Sequence, residues 1–446
     1  MGYVTAVLFV LTGLEARHET PAPEPDVVTG ARGAFPAALG SAAAPLVPSH
    51  VLRRTTADGI VVHGLSIQST GAGVRAVNIR SGAEYWRYER GGYGEGNGDG
   101  DGDENRSYYT PTLQVSARTV VAGFVDGRLT AIDLRSGRIL WHRNIWEGES
   151  RRRPNAQLTG GRVIFDTPAG IRALTERTGR TLWTATRPAE CDETPVGTVY
   201  AFPDHLITAS ASCDVLGTER RTAGTGVTPS VTRSSALLLV IDDRTGKVLW
   251  RQQKGEQYDD LLRADTRTLA AVGPERRTPR PVRLLDVSRE GAPVRTTFSI
   301  HLLARVTTAD GIAVTTVDPH IYDTESPTLL SAYDTGTGRL RWKLRAPTGQ
   351  KYGDPVVANG RVYVVRQPIF KYADAGHGTT ADLLVLDART GRSRQVLELT
   401  GLTVPTDVNA YASLDMDEVG AREAGADGAV AISWRGGSKE LLLVTG

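Results

Sequence analysis

The sequence predicts an all-β fold built from repeated sheets, on the basis of three observations. An eleven-residue pattern recurs along the chain, its copies are spaced as four-stranded units would be, and no long segment has the periodicity of a helix. A repeat of roughly 40 to 50 residues per four-stranded unit is typical of a β-propeller. We therefore predict a β-propeller with eight blades, and seven blades is the alternative.

The pattern has its clearest copy at residues 131–141, with the sequence AIDLRSGRILW. Its apolar run predicts a strand, and its Asp and Ser-Gly predict a turn in which polar side chains bind the backbone and Gly takes a positive φ. A large aromatic residue then ends the pattern on the next strand, where it can cover the gap between neighbouring sheets. This structural position is occupied by five tryptophans: Trp86, Trp141, Trp183, Trp250 and Trp342.

Three copies of the pattern are altered. The first copy has Asn78 in place of Asp, and the copy at residues 385–395 ends on Gln395. A degraded copy around Asp286 has no Trp, and we expect Phe298 to replace it. Because all copies keep one frame, these changes do not weaken the fold prediction.

The motif residues resemble those of the pyrroloquinoline quinone (PQQ) repeat family, whose motif is A-x-D-x-x-T-G-x-x-x-W. A preceding strand of the type D-G-x-V-Y-V is present as well, for example at residues 57–62 and 359–364. The resemblance covers about residues 45–446 and extends to the propeller of BamB-type assembly factors. It implies an extracytoplasmic, non-enzymatic scaffold that binds a protein or peptide partner through the loops of one face and the central channel.

The same resemblance includes an alternative, the quinoprotein dehydrogenases that use PQQ and Ca²⁺. Those enzymes hold PQQ over a central Trp, beside a Ca²⁺ ion bound by Glu and Asn, often with adjacent paired cysteines. This chain has no Cys-Cys dipeptide, and five of its seven Trp residues occupy the motif position. We therefore expect no PQQ and assign no catalytic or cofactor-binding residue.

The N-terminus divides into two segments before the propeller domain at residues 45–446. Residues 1–16 include an apolar run at 4–14, which is about half of the ~20 residues that a membrane helix needs. This run is an export signal, the remnant of a membrane anchor or an apolar tail, and the sequence leaves all three open. Residues 17–44 form a Pro/Ala-rich linker, so we expect an extracytoplasmic protein that is secreted or tethered to a membrane at its N-terminus.

Closure of the ring depends on both ends of the chain. Residues 441–446 lie inside a predicted strand, which leaves the last blade without its outer strand. Because a ring must hide its sheet edges, we expect a strand from about residues 38–54 to pair into the last blade. Five insertions interrupt the repeats, and they are expected to be either partner-binding loops on a face or surface length that the fold tolerates: residues 91–107, 217–235, 274–281, 368–380 and 401–425.

An acidic, Gly-rich segment at residues 95–105 contains the candidate metal ligands Asp99, Asp101 and Asp103. Alternating carboxylates can bind Ca²⁺, but Tyr108 stands where the closing Glu of such a loop belongs. A solvated acidic loop without tight Ca²⁺ binding is the favoured interpretation.

Cysteine usage and charge restrict the function further. Cys191 and Cys213 flank a strand-like run and are expected to form a disulfide, and two unpaired thiols are the alternative. The chain carries 52 Lys and Arg against 50 Asp and Glu, so its net charge of +2 gives no reason to expect a nucleic-acid partner. It has no G-x-S-x-G, P-loop or H-E-x-x-H sequence, and we expect a non-enzymatic monomer.

Overall fold

The strands of this protein form eight antiparallel sheets within the part of the chain that the computed structural model describes. That part comprises residues 25–39, 50–55, 59–91, 110–145, 154, 156–167, 169–186, 199–202, 206–215, 233–251, 260–263, 268–272, 280–288, 294–300, 305–309, 311–317, 329–368, 380–403, 420–424, 429–436 and 438–445. These residues contain no α-helix, which confirms the all-β prediction.

The first four sheets, numbered in chain order, contain the following strands. Sheet 1 contains β1 (Val27–Thr29), β3 (Gly59–Val62), β4 (Leu65–Ser69), β5 (Gly73–Asn78) and β6 (Glu84–Glu89). Sheet 2 contains β7 (Thr112–Val115), β8 (Thr119–Gly123), β9 (Arg128–Asp133) and β10 (Ile139–Asn144). Sheet 3 contains β11 (Ala156–Thr159), β12 (Arg162–Thr167), β13 (Gly170–Thr175) and β14 (Thr181–Thr186). Sheet 4 contains β15 (Val199–Phe202), β16 (Leu206–Val215), β17 (Arg233–Asp242) and β18 (Val248–Arg251).

The other four sheets follow the same scheme. Sheet 5 contains β19 (Asp260–Arg263), β20 (Thr268–Val272), β21 (Arg280–Asp286) and β22 (Val294–Ile300). Sheet 6 contains β23 (Arg305–Ala309), β24 (Ile312–Val317), β25 (Leu329–Asp334) and β26 (Leu340–Arg345). Sheet 7 contains β27 (Gln350–Tyr352), β28 (Val356–Ala358), β29 (Arg361–Pro368), β30 (Thr380–Asp387) and β31 (Ser393–Thr403). Sheet 8 contains β2 (His50–Thr55), β32 (Gly420–Ala424), β33 (Ala429–Gly436) and β34 (Ser438–Thr445).

Most sheets are simple meanders. In sheets 2 to 6, strands that follow one another in sequence are hydrogen-bonded neighbours. In sheet 7 the first strand is split, because both β27 and β28 pair with β29. This order places the first strand of each sheet at one edge and the last strand at the other, as in a propeller blade.

The two ends of the chain meet in sheet 8, where the strand order is β2-β34-β33-β32. Val51 lies opposite Val444, and Thr55 lies opposite Leu441. This pairing confirms the expected closure by an N-terminal strand. The strand β32 lies inside the predicted 401–425 insertion, so the end of that insertion is a strand and not a loop. This strand pairs with β33, whose inner edge would otherwise have unpaired backbone groups.

The hydrophobic core lies between consecutive sheets. One buried cluster joins Ala131 and Trp141 of sheet 2 to Val163 and Phe165 of sheet 3. Among the described residues, equivalent clusters join sheets 1 and 2, 3 and 4, 4 and 5, 5 and 6, 6 and 7, and 7 and 8. Sheets 2 to 7 are therefore covered by a neighbouring sheet on each face, which is why one chain of this length can keep adding sheets without one oversized core.

The structure places part of the predicted 17–44 linker on the propeller. The strand β1 pairs with β6 as a fifth strand of sheet 1, with Val27 opposite Glu89 and Thr29 opposite Arg87. The outer edge of β6 thereby gains a hydrogen-bonding partner. We call residues 25–39 the N-terminal strap.

Candidate functional site

Each motif tryptophan joins its own sheet to the motif turn of the next sheet. The indole N–H of Trp86 donates a 2.8 Å hydrogen bond to the carbonyl oxygen of Leu134, and the indole of Trp141 donates one of 2.8 Å to Glu176. The same bond recurs at three further junctions: Trp183 to Asp243, Trp250 to Val287 and Trp342 to Ala388. All five side chains are buried. The motif tryptophans are thus connections between sheets.

The turn glycine of the next sheet packs against this indole. Gly179 has a φ of +63°, and a Cβ atom there would stand 2.7 Å from Cδ2 of Trp141. Three other glycines are placed in the same way: Gly137 on Trp86, Gly246 on Trp183 and Gly391 on Trp342. Glycine is therefore required both for the left-handed backbone and for the close approach of the ring.

The motif carboxylate holds the turn together. In sheet 7, Oδ1 of Asp387 accepts hydrogen bonds from the N–H of Arg389 at 3.2 Å, from the N–H of Thr390 at 3.1 Å and from the Thr390 hydroxyl at 3.0 Å. A hydrogen bond from Arg394 is the main reason that the pKa of Asp387 falls to about 2. Burial acts to raise the pKa of the corresponding carboxyls, but their hydrogen bonds lower it at Asp133, Asp242 and Asp334. The motif carboxylates are therefore ionised at neutral pH.

Two of the altered copies of the pattern keep the turn. The Oδ1 atom of Asn78 accepts hydrogen bonds from the N–H of Arg80 and Ser81, at 2.9 and 3.2 Å, so an amide can replace the carboxylate. The copy that ends on Gln395 still pairs this residue with Val385, where the other sheets have the aromatic residue.

The expectation for Phe298 is wrong. A motif Trp lies opposite the first residue of its pattern, as Trp183 does opposite Ala173. In sheet 5 this partner of Leu284 is Thr296, and Phe298 lies opposite Val282. The connection at residues 287–293 is two residues longer than its counterpart at 176–180 in sheet 3, which moves the motif position to Thr296, and Phe298 lies two residues further along β22.

The N-terminal strap ties sheets 1 and 2 together at its first residues. Asp26 forms an ion pair with Arg128 of sheet 2 at 2.5 Å and accepts a hydrogen bond from the Tyr88 hydroxyl of sheet 1 at 3.0 Å. Burial raises the pKa of Tyr88 to about 12, so the phenol remains a donor at neutral pH. The side chains of Asp26 and Arg128 are 16% and 15% exposed, so this ion pair is largely shielded from solvent.

Beyond β1, the strap crosses the motif turns of the first two sheets. The Arg80 guanidinium donates hydrogen bonds of 2.7 and 2.9 Å to the carbonyl oxygens of Ala37 and Ala38. The guanidinium carbon of Arg135 lies 4.4 Å from the centre of the Phe35 ring. These contacts are not predictable from the local sequence, where the short β-branched run of β1 is the only signal for them.

The antiparallel strand order sorts the connections onto two edges of each sheet. In sheet 3, the β11–β12 and β13–β14 turns lie at one edge, and the β12–β13 turn lies at the other. Contacts such as the 2.9 Å ion pair between Arg177 and Asp133 show that the first edge continues from sheet to sheet. We call this edge the motif face, formed by the turns at residues 79–83, 134–138, 176–180, 243–247, 335–339 and 388–392. The opposite edge is the long-connection face.

All five predicted insertions start and end at the long-connection face. Those at residues 91–107 and 401–425 follow the outer strands β6 and β31. Those at residues 217–235, 274–281 and 368–380 join the second and third strands of sheets 4, 5 and 7. The chain therefore varies in length mainly at one face and, apart from the longer connection at residues 287–293 in sheet 5, keeps motif turns of one length at the other. The long-connection face is the candidate functional site.

Several predicted site residues lie outside the described residues. They include the candidate metal ligands Asp99, Asp101 and Asp103, and also Cys191. Cys213 lies on β16 with Ser235 opposite it on β17, so its pairing with Cys191 stays a prediction. Within the described part of the chain, no group of three His, Cys, Asp or Glu side chains could hold a metal ion. In that same part, no helix has the length and apolar character of a membrane span.

Comparison with solved structures finds similar folds at low identity. The computationally designed Ika8 protein is 15% identical, with 88% of this chain and 98% of that chain covered and a TM-score of 0.52. BamB from Moraxella catarrhalis is 14% identical, with 90% of this chain and 100% of that chain covered and a TM-score of 0.49. Quinohemoprotein alcohol dehydrogenase from Comamonas testosteroni is 14% identical, with 94% and 76% covered and a TM-score of 0.48. At these identities a likeness describes the fold and not the function.

Comparison with family models gives the stronger result. No curated protein matches this chain. The model of the family described as "Outer membrane protein assembly factor BamB" matches residues 43–167, 168–278 and 301–439, which together are most of the chain and most of the eight sheets. This protein therefore belongs to the family described as outer membrane protein assembly factor BamB.

Proposed function

We propose that this protein is a non-enzymatic, extracytoplasmic scaffold that binds a protein or peptide partner through the long-connection face and the central channel. The observation that carries the proposal is the sorting of the connections, in which all five insertions start and end at one face. Connections on a rigid framework are the usual place for binding residues, because their length and sequence can vary without disturbing the core. The family description, an assembly factor, supports a role in bringing proteins together.

The framework beneath that face is well suited to hold binding segments in place. Five indole-to-carbonyl bonds join successive sheets, and the β2–β34 pairing joins the first and last parts of the chain. A partner therefore meets loop ends whose relative positions are set before binding, which lowers the entropy cost of ordering the site.

The proposed location follows from the N-terminal sequence and the cysteines. The apolar run at residues 4–14 and the Pro-rich segment that follows it suit export or a membrane tether. A disulfide between Cys191 and Cys213 would suit the same oxidising compartment.

Affinity capture tests the proposal. The full chain is immobilised and exposed to an envelope fraction, beside variants in which residues 217–231, 274–279 or 369–379 are each replaced by Asn-Gly. We expect the full chain to retain a protein that at least one shortened variant loses, with an unchanged melting temperature. The matched control, Arg138→Ser with Arg180→Ser on the motif face, is expected to retain the partner.

Two outcomes would contradict the proposal. One is that every shortened variant still captures the partner, whereas the motif-face control does not. The other is dye-linked alcohol or sugar oxidation by the purified chain after addition of PQQ and Ca²⁺, which would favour the quinoprotein alternative.

A further inference from the structure

We infer that the motif face is a docking surface for an anionic lipid bilayer. This role is separate from the partner site proposed above, because it uses the opposite face of the ring. Three observations carry it: the cations of the motif turns, the equal length of the turns in sheets 3, 4, 6 and 7, and exposed leucines that closely follow the cations in sequence.

The motif turns bring basic residues to one face at two repeated positions. The fifth position of the pattern is Arg80, Arg135, Arg177, Arg244 and Arg389, and the eighth is Arg138, Arg180, Lys247, Arg339 and Arg392. All ten are exposed. The net charge of +2 conceals this arrangement, because the ring collects residues that are far apart in sequence onto one surface.

Among the described residues, the carboxylates of the same face offset only part of these charges, and one of the ten cations, Arg177, is itself in an ion pair. Four of the carboxylates are already in ion pairs with arginines: Asp133 with Arg177, Asp243 with Arg162, Asp334 with Arg341, and Asp387 with Arg361 and Arg394. Asp242 accepts hydrogen bonds from its own turn, and the buried Glu176 accepts one from the Ser116 hydroxyl. Among the described residues, the eighth-position cations form no ion pair, so they remain available to an external anion.

The shape of the motif face suits a flat partner. Six of its turns have one length, from residues 79–83 to residues 388–392, whereas the connection at residues 287–293 in sheet 5 is two residues longer. The N-terminal strap crosses the turns of sheets 1 and 2, so the open part of the face is formed by the equal turns of sheets 3, 4, 6 and 7. Turns of equal length on radially repeated sheets reach the same level. Such a surface presents its cations to a plane of phosphates more readily than to a single peptide, which needs a groove.

Exposed leucines accompany the cations. Leu182 and Leu249 are 39% and 44% exposed, and each lies at a β-bulge between its turn and its motif Trp. Leu340 is 52% exposed and directly follows Arg339. Cations beside apolar side chains match the interface of an anionic bilayer, where phosphates lie above acyl chains. Binding of an acidic protein would require only the cations, so the exposed leucines favour a bilayer as the binding partner.

Vesicle binding of the full chain tests the inference. Binding is measured to phosphatidylcholine vesicles and to mixed phosphatidylcholine–phosphatidylglycerol vesicles, at low and high salt. Binding to pure phosphatidylcholine vesicles is the control that measures any contribution of the apolar run at residues 4–14. We expect the anionic vesicles to bind about tenfold or more tightly than the neutral ones, and salt to remove the difference.

Matched variants locate the surface. The test variant is Arg138→Ser/Arg180→Ser/Arg392→Ser, and the control is Arg143→Ser/Lys343→Ser/Arg345→Ser. The control residues are exposed on outer strands beyond the motif turns and change the net charge equally. We expect the test variant to lose about tenfold or more in binding to anionic vesicles and the control to lose little.

A third variant separates a bilayer from an acidic protein. Leu182→Ser/Leu249→Ser is expected to weaken binding to anionic vesicles and to leave binding to polyglutamate unchanged. The inference is overturned if the wild type shows no preference for anionic vesicles, or if the two arginine variants lose binding equally. It is also overturned if the leucine variant binds both anions like the wild type. Melting temperatures establish that each variant is folded. The salt dependence of vesicle binding by the wild type tests the inference without any variant.

Discussion

Single residues of the motif act on two sheets at once. Trp141 belongs to β10 of sheet 2, yet its N–H bonds the carbonyl of Glu176 and its ring packs on Gly179, both in sheet 3. The residue type at each motif position therefore follows both from the local turn and from the contact with the next sheet. Three predictions belong to this scale.

Replacing a motif tryptophan should weaken the junction between sheets. We expect Trp141→Ala to lower the free energy of unfolding by ~3–5 kcal/mol, because it removes a buried aromatic side chain. Trp141→Phe keeps a ring but loses the bond to Glu176, and it should cost less. Denaturant unfolding measures both, and a cost below about 1 kcal/mol for the alanine variant would mean that the ring does not support the junction.

Two glycines separate the effect of backbone conformation from that of packing. Gly161 and Gly179 have φ values of +76° and +63°, but only Gly179 lies against Trp141, whereas Gly161 has no atom within 4 Å of an added Cβ. We expect Gly161→Ala to cost about 1–2 kcal/mol for the left-handed backbone alone. Gly179→Ala should cost a further ~1–3 kcal/mol for overpacking. Equal losses in thermal or denaturant melts would show that the indole can move aside.

The Asp387 carboxylate should make stability depend on pH in the acidic range. Its pKa in the folded protein is about 2, mainly because of Arg394, whereas an unfolded Asp titrates near 3.8. Its stabilising effect is therefore complete above the unfolded value and is lost as the pH falls toward the folded value. We expect Asp387→Asn to be less stable than the wild type at pH 6, and the gap to narrow below about pH 4. A gap that is the same at pH 6 and pH 3 would contradict this assignment.

At the scale of elements, the N-terminal region makes two separate contributions. The strap covers the outer edge of β6 and joins sheets 1 and 2, and β2 then supplies the outer strand of sheet 8. The first contribution adds a strand to a complete meander. The second completes a sheet that would otherwise expose an edge.

Truncation distinguishes these contributions. A chain that begins at Ala31 lacks β1 and Asp26, and a chain that begins at Thr56 lacks β2 as well. We expect the first to melt somewhat below the full chain and the second to melt much lower or to aggregate, because β34 is then unpaired on one side. Melting is followed by circular dichroism and light scattering. Equal melting temperatures for the two shortened chains would show that β2 is not needed for closure.

At the scale of the whole molecule, two faces with different properties lie on one closed ring. The connections of the long-connection face vary in length, and this face is the proposed partner site, whereas the motif face has turns of nearly one length and carries exposed cations. Both faces depend on the same hydrogen bonds between sheets, so a substitution at one junction should lower the stability of the whole ring.

Closure should therefore make distant junctions unfold together. We expect Trp141→Ala in sheet 2 and Trp342→Ala in sheet 6 each to shift one common urea transition, seen alike by circular dichroism and tryptophan fluorescence. In the chain that begins at Thr56, the open series of sheets should unfold over a broader range, as stacked repeats with free ends do. Two well-separated transitions in the full chain would show that the sheets behave independently.

The sequence by itself determined the all-β repeat fold, the turn chemistry and the need for an N-terminal closing strand. These features are encoded in contiguous residues: Asp, Ser or Thr, and Gly within one turn act on their own backbone, whatever the distant contacts. The expectation for Phe298 failed because the pattern does not record strand register: a longer turn moves the motif position to Thr296, and Phe298 lies two residues beyond it. Only the tertiary structure decided which carbonyl each Trp binds, where the strap lies and how the charges divide between the faces. Those properties arise from residues far apart in sequence, such as Asp26 and Arg128, which come together only when the sheets pack in order around the ring.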